Sequence, residues 1–168
     1  MLVADFRSLV YGAGRVEASG RDVGRNVYWK LFAIENNLRV LISSVLQGQI
    51  GWNWWTVAVD PKIRKEAEEG RKRYAKKPWH GSPGKHDIYY TTLWQLNEIV
   101  RANGNLFVPV IPDIDQWIAR IEQIRLPRNV VGHMNWLERT DRKRVDIVHS
   151  DLRALLVSVE ASLTIAIP

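Results

Sequence analysis

Arg128, Asn129 and His133 carry the chemistry most readily read from this chain, within the stretch from Ile124 to His133. Arginine grips phosphate with two parallel donors and stays charged at any useful pH. Histidine titrates near neutrality and can take or give a proton. Asparagine can orient either of them through its amide. Arginine with histidine, and no carboxylate cluster, suits metal-free phosphodiester cleavage. The imidazole would act on a 2′-hydroxyl or on the leaving oxygen, and the guanidinium would hold the charge building on phosphorus. The plainer reading of the same residues is a capped helix start with a solvated Arg128 and a half-buried His133.

These side chains need a helix beneath them. Pro127 favours a first turn, which predicts a short helix carrying Arg128 to Met134. Residues four apart share a helix face, so Asn129 and His133 do. Arg128 lies roughly 140° round from His133, within reach because its side chain is long. Gly132 weakens the helix and lets a helix, a second subunit or a substrate approach the backbone. Asp22 to Ile50 is predicted as the strongest helix, with Val27, Leu31, Ile34, Leu38, Leu41, Ile42 and Val45 at helical spacing. Glu35 falls inside that apolar arc, where a carboxylate must be paired. Arg39, one turn on, is the local partner. The alternative turns Glu35 toward Arg128 and His133.

Arg128-Asn129-x3-His133 resembles the Arg-x4–6-His motif of the HEPN domains. Tyr28 to Leu46 looks like the early helix of that family. Asp87 to Val100 and Trp117 to Leu126 look like the helices leading to the motif, so the resemblance covers about Val23 to Ile165. It implies an all-α, commonly dimeric fold and a metal-independent endoribonuclease leaving 2′,3′-cyclic phosphate ends. It also implies roles: His133 as acid/base, Arg128 as phosphate clamp, Asn129 as orienter and Glu35 as support. Two copies of the motif would face each other across a homodimer cleft. Such enzymes serve toxin, abortive-infection and RNA-guided defence systems, so an antitoxin or defence-system partner is a further expectation. Two positions depart from the pattern. Asn135 stands where one subgroup carries a tyrosine modified by a partner nucleotidyltransferase, and Gly132 stands where alanine or serine is common. The same resemblance leaves open a non-catalytic module that binds RNA, a nucleotide or a protein.

Bulk properties agree with an anionic partner. The chain has 168 residues, a net charge of +6 and a pI near 9.8, which favours nucleic acid without fixing the fold. There is no cysteine, so disulfides and thiolate metal sites are excluded. No apolar run reaches the roughly 18 residues of a membrane span. The N-terminus has an early acid and no basic leader, which argues against a signal peptide. A cytoplasmic protein with no membrane contact is predicted.

The remaining stretches supply the scaffold. Met1 to Tyr11 is predicted as a short helix, and Gly12 to Gly20 as a loop. Gly12-x-Gly14 is only the first half of a dinucleotide loop and follows no strand. Trp52, Trp54 and Trp55 read as core or interface packing in preference to base stacking. Asp60-Pro61 starts a charged helix whose end carries Arg71, Arg73, Lys76 and Lys77, either a solvated face or an RNA-backbone contact. Arg39 is grouped with these as an RNA contact. His80 and His86 lack metal-site spacing, and no metal or cofactor is expected. Asp87 is predicted to cap a helix reaching Val100, Leu106 to Ile111 to be an extended buried connection, and Pro112-Asp113 to start the helix delivering the motif. Thr140-Asp141 is predicted to cap a last helix from Arg142 to Ile167, with His149 at its edge. The whole predicts an all-α, single-domain, HEPN-like bundle of about five or six helices. Residues 1–22 would form an N-terminal helix and glycine-rich loop, and residues 23–167 the helical core.

Overall fold

Between Leu38 and Leu46 every residue except Val40 is buried. A helix enclosed on all sides needs neighbours all round, and this one is the axis of the fold. The computed structural model describes residues 4–168. The described residues are all-α, with no strand among them. Nine α-helical segments follow in order: α1 (Ala13–Val23), α2 (Trp29–Ile50), α3 (Trp54–Ala58), α4 (Pro61–Ala75), α5 (Leu93–Ala102), α6 (Gly104–Phe107), α7 (Ile114–Gln123), α8 (Arg125–Gly132) and α9 (Arg139–Val159). The enclosed helix is α2, and α3, α5, α6 and α9 pack against it. α5 packs on α7, and α8 lies against α7 and α9. No helix among the described residues is long and apolar enough to cross a membrane.

The count exceeds the five or six expected because the chain uses short segments that periodicity does not register. α3 and α6 are about a turn each. Gly12 to Gly20, expected as a loop, is mostly α1. Gly14 and Gly20 face open space, and alanine, arginine and glutamate between them are good helix formers. Ser19 Oγ also donates to Ala4 O at 3.0 Å, tying α1 to the preceding segment. A wide π-type turn, Gly24–Tyr28, carries α1 into α2. The helical path therefore runs unbroken across the boundary expected between residues 22 and 23. Of the helix expected over Met1 to Tyr11, one 3₁₀ turn is present, Phe6–Ser8; Met1 to Val3 lie outside the described residues.

Four further boundaries move for local reasons. Asp87 caps no α-helix: Asp87–Tyr90 is a single 3₁₀ turn, and α5 starts after Thr92, which forms a reciprocal cap with Gln95. Leu106 to Ile111 is coiled, with the Val110 and Ile111 amides both donating to Phe107 O. Phe107, Val110 and Ile111 are nonetheless buried as expected. Asn103 Nδ2 fixes this corner by donating to Ile99 O and Ala58 O at 2.8 and 3.0 Å. α9 stops at Val159, short of Ile167. Ser158 and Ser162 hydroxyls donate back to Leu155 O and Val159 O, a competition that weakens helices. The tail then returns to α2, where the Ala166 amide donates to Ser44 Oγ at 2.9 Å. α9 also begins at Arg139, ahead of the expected Thr140-Asp141 cap.

The tryptophans divide. Trp54 is buried at 2% exposure, Trp55 packs on the core and Trp52 stands in solvent. His86 sits with them, stacked on Trp54 at 5.2 Å and edge-on to Trp55 at 5.2 Å. Its Nδ1 accepts from the Ile88 amide at 3.1 Å.

Candidate functional site

α8 is laid down by its apolar side. Ile124, Pro127 and Val131 are buried, at a spacing of three and four that forms one helix face. The helix begins at Arg125, two residues before Pro127. Pro127 therefore occupies the first turn, where its missing N–H removes no helical bond. The first of those bonds runs from the Arg128 amide to Ile124 O at 2.8 Å. The opposite side carries a ridge of Arg125, Asn129 and His133, four residues apart and all exposed. Arg128 and Gly132 lie on its shoulder.

His133 closes the helix instead of lying within it. Its amide donates to Asn129 O, the Met134 amide donates to Val131 O and the Asn135 amide to Val130 O. That pair of reversed bonds is the Schellman termination, whose left-handed residue is usually glycine. Here it is Met134, at φ 60 and 90% exposed. Asn135 Nδ2 also donates to His133 O at 3.1 Å. The backbone of His133 is thus held on both sides. Its imidazole is exposed and hydrogen-bonds nothing among the described residues.

Arg128 is anchored from α2. Its Nε donates to Glu35 Oε2 at 3.1 Å and its Nη2 to Glu35 Oε1 at 3.5 Å. Glu35 in turn accepts from Arg39 Nη2 at 2.7 Å. Glu35 therefore pairs along its own helix and also reaches Arg128, but it makes no hydrogen bond with His133 among the described residues. Arg39 is buried at 7% exposure. Three of its other four N–H donors go to Ile88 O, Thr91 O and Asn36 Oδ1 at 3.3, 3.2 and 3.1 Å. With four of its five N–H donors engaged, Arg39 supports Glu35, and it also lines a cleft beside Arg128. Gly132 has a local purpose as well. A Cβ there would stand 3.3 Å from Arg128 Nη1, so the group that comes close to this glycine is the chain's own guanidinium.

Two openings flank Arg128. A cleft of about 400 Å³ lies on the α2 side, with Glu35, Asn36 and Arg128 among its polar lining and Tyr28, Phe32 and Tyr89 among its aromatic walls. A hollow of about 270 Å³ lies on the α5 side, between Thr92, Leu93, Trp94, Arg125, Arg128 and Asn129. His133 lines neither. The structure thus brings Arg128, Glu35 and Arg39 into contact, places Asn129 on the far side of Arg128 from Glu35, and leaves His133 at the end of the ridge.

The basic end of α4 stands apart from both openings. Arg71 pairs with Asp87 at 2.7 Å, whereas Arg73, Lys76 and Lys77 are exposed and have no acidic partner among the described residues. His86 and His149 also sit away from the openings, and both are held below the usual imidazole range. Burial is the main cause for His86, opposed by Asp87. For His149, burial leads, followed by Lys30 and Arg153, and Asp146 opposes them. His149 meets Trp29 edge-on at 4.9 Å, in keeping with its expected edge position.

Arg125, Trp94, Tyr89 and Asn36 were not singled out as site residues from sequence. Arg125 carries a readable signal, since it stands four before Asn129 on the same ridge. The other three come from elements distant in sequence, and only the packing of α2 and α5 around α8 brings them to the motif. No family model, no curated protein and no solved structure matches the chain.

Proposed function

We propose that this chain is a HEPN-like, metal-independent endoribonuclease. One observation carries the reading: a half-buried Arg128 is fixed by the Glu35–Arg39 pair at the edge of a cleft, on the short helix that an exposed His133 caps. A guanidinium has five N–H donors, and Glu35 accepts two of Arg128's. Three stay free for a phosphate, so the anchor orients the clamp without blocking it. In the proposed reaction the His133 imidazole takes the proton of a ribose 2′-hydroxyl. The 2′-oxygen bonds to phosphorus, the bond to the 5′-oxygen breaks, and Arg128 faces the charge on the non-bridging oxygens. The products are a 2′,3′-cyclic phosphate and a 5′-hydroxyl, whose proton comes from the imidazolium of His133 in a second copy.

A homodimer through the motif face suits the surface beside Gly132 and Met134, where Tyr28, Phe32 and Met134 are 56%, 59% and 90% exposed. Asn129 orients the substrate beside Arg128, and Arg71, Arg73, Lys76 and Lys77 draw in the RNA backbone. An antitoxin or defence-system partner would restrain such an activity. A non-catalytic binding module is the second reading, favoured by the absence of His133 from both openings. The test is RNA cleavage by His133→Ala and Arg128→Ala variants. Each abolishes cleavage while helical circular dichroism stays unchanged. Full activity in either variant would overturn the assignment, and unfolding of both would make the motif structural.

A further inference from the structure

Trp94 is the least explained aromatic side chain near the motif. It sits in the first turn of α5 and is 44% exposed. Trp54 and Trp55 pack on each other and on His86, Trp29 meets His149, and Trp136 lies against Arg142. Trp94 has no aromatic or cationic ring partner among the described residues. It lines the α5-side hollow, and the polar residues sharing that hollow are Thr92, Asn129, Arg125 and Arg128. Thr92, on the same wall, is fixed by its reciprocal cap with Gln95.

An indole with an open hollow before it, an amide on the rim and two cations at the edge suit one kind of ligand. A nucleobase has a flat face for stacking, an edge of donors and acceptors for an amide, and an attached phosphate. Arg128 lines both openings. A phosphate held on Arg128 would stand between the two openings, with space for a flanking nucleoside on the α5 side. Arg125 spends its Nε on Glu122 at 3.2 Å, which leaves its terminal donors for the next phosphate along.

We propose that the hollow between Trp94 and Asn129 is a nucleobase subsite for single-stranded RNA, taking the base next to the phosphate held by Arg128. Trp94 supplies stacking, Asn129 reads the base edge and Arg125 binds the neighbouring phosphate. The proposal rests on the RNA reading of the site. It makes Asn129 a specificity residue on the opposite side of Arg128 from Glu35.

The test is equilibrium binding of labelled single-stranded oligoribonucleotides to full-length protein carrying His133→Ala, in chelator. A second oligonucleotide has one abasic ribose. Adding Trp94→Ala weakens binding by roughly 5- to 100-fold, the usual worth of one base stacked on an aromatic ring. Trp94→Phe restores most of it. The abasic oligonucleotide binds the Trp94-containing protein about as weakly as the intact one binds Trp94→Ala. Asn129→Ala changes the ranking of the four bases at that position. Trp94 is half in solvent, so these changes leave the core intact, and equal circular dichroism confirms it. RNA binding and cleavage that ignore Trp94 would overturn the subsite and leave the nuclease standing. Trp94-dependent binding with no cleavage by the wild type would support the subsite and sink the nuclease. No RNA binding by any form would overturn both, and conversion of a dimer to a monomer by Trp94→Ala would make the hollow an interface between copies.

Discussion

Glu35→Ala tests the anchoring network most sharply, because the cost follows from what each partner loses. Arg39 is buried and would keep three neutral acceptors, Asn36 Oδ1 and the carbonyls of Ile88 and Thr91, but no counter-charge. Breaking a buried ion pair from one side costs about 3–5 kcal/mol. The three retained acceptors place this case at the lower end, about 3 kcal/mol. The pair with Arg128 adds little. The Arg128 side chain is 36% exposed, and solvent-screened pairs contribute about 0–1 kcal/mol. For a domain of this size about 3 kcal/mol lowers the melting temperature by roughly 6–12 °C. Glu35→Gln keeps an acceptor for Arg39 Nη2 and loses only the charge, so it falls between Glu35→Ala and wild type. The assay is thermal unfolding followed by circular dichroism at neutral pH, with reversibility checked. A Glu35→Ala protein melting within about 2 °C of wild type would refute the reasoning, because Arg39 would then not depend on Glu35 and Arg128 would have no fixed anchor.

Three other outcomes are expected. Met134→Gly relieves a non-glycine residue at φ 60 and stabilises the protein by about 1 kcal/mol, read as a rise in the denaturation midpoint at constant slope. Lowering pH from 7.5 to 5.5, a range chosen to bracket the free imidazole value near 6.5, destabilises the fold through His86, whose proton affinity burial reduces. With the folded pKa below the unfolded one, the stability is complete above that value and is lost as pH falls through the folded pKa; His86→Asn flattens the dependence of melting temperature on pH. Gly132→Ala brings a Cβ within 3.3 Å of Arg128 Nη1. It lowers RNA cleavage through displacement of the clamp while leaving thermal stability equal or higher, since alanine favours the helix.

How far the sequence carried depended on range. Apolar spacing in Leu31 to Leu46 and in Trp117 to Ile124 located α2 and α7 because one helix face must be buried whatever its neighbours are. Glu35 was legible as a carboxylate needing a partner, and its reach to Arg128 follows from the same need across 93 residues. Glycine spacing misled at Gly12 to Gly20, since open surroundings remove most of the cost of glycine in a helix. Arg39 was legible as the local partner of Glu35, but a sequence does not show that the Ile88 and Thr91 carbonyls will also turn toward it. Trp94 was not legible as a site residue for the same reason: its place beside Arg128 and Asn129 depends on how α5 and α8 pack.

The measurement that bears most directly on the central proposal is incubation of wild-type protein and its His133→Ala variant with total RNA in excess EDTA. Fragments with 2′,3′-cyclic phosphate ends are expected from the wild type alone. Equal cleavage by the two proteins, or cleavage by the wild type that chelator abolishes, would contradict a metal-free reaction centred on His133. Absence of cleavage by a folded wild type would instead favour the binding module.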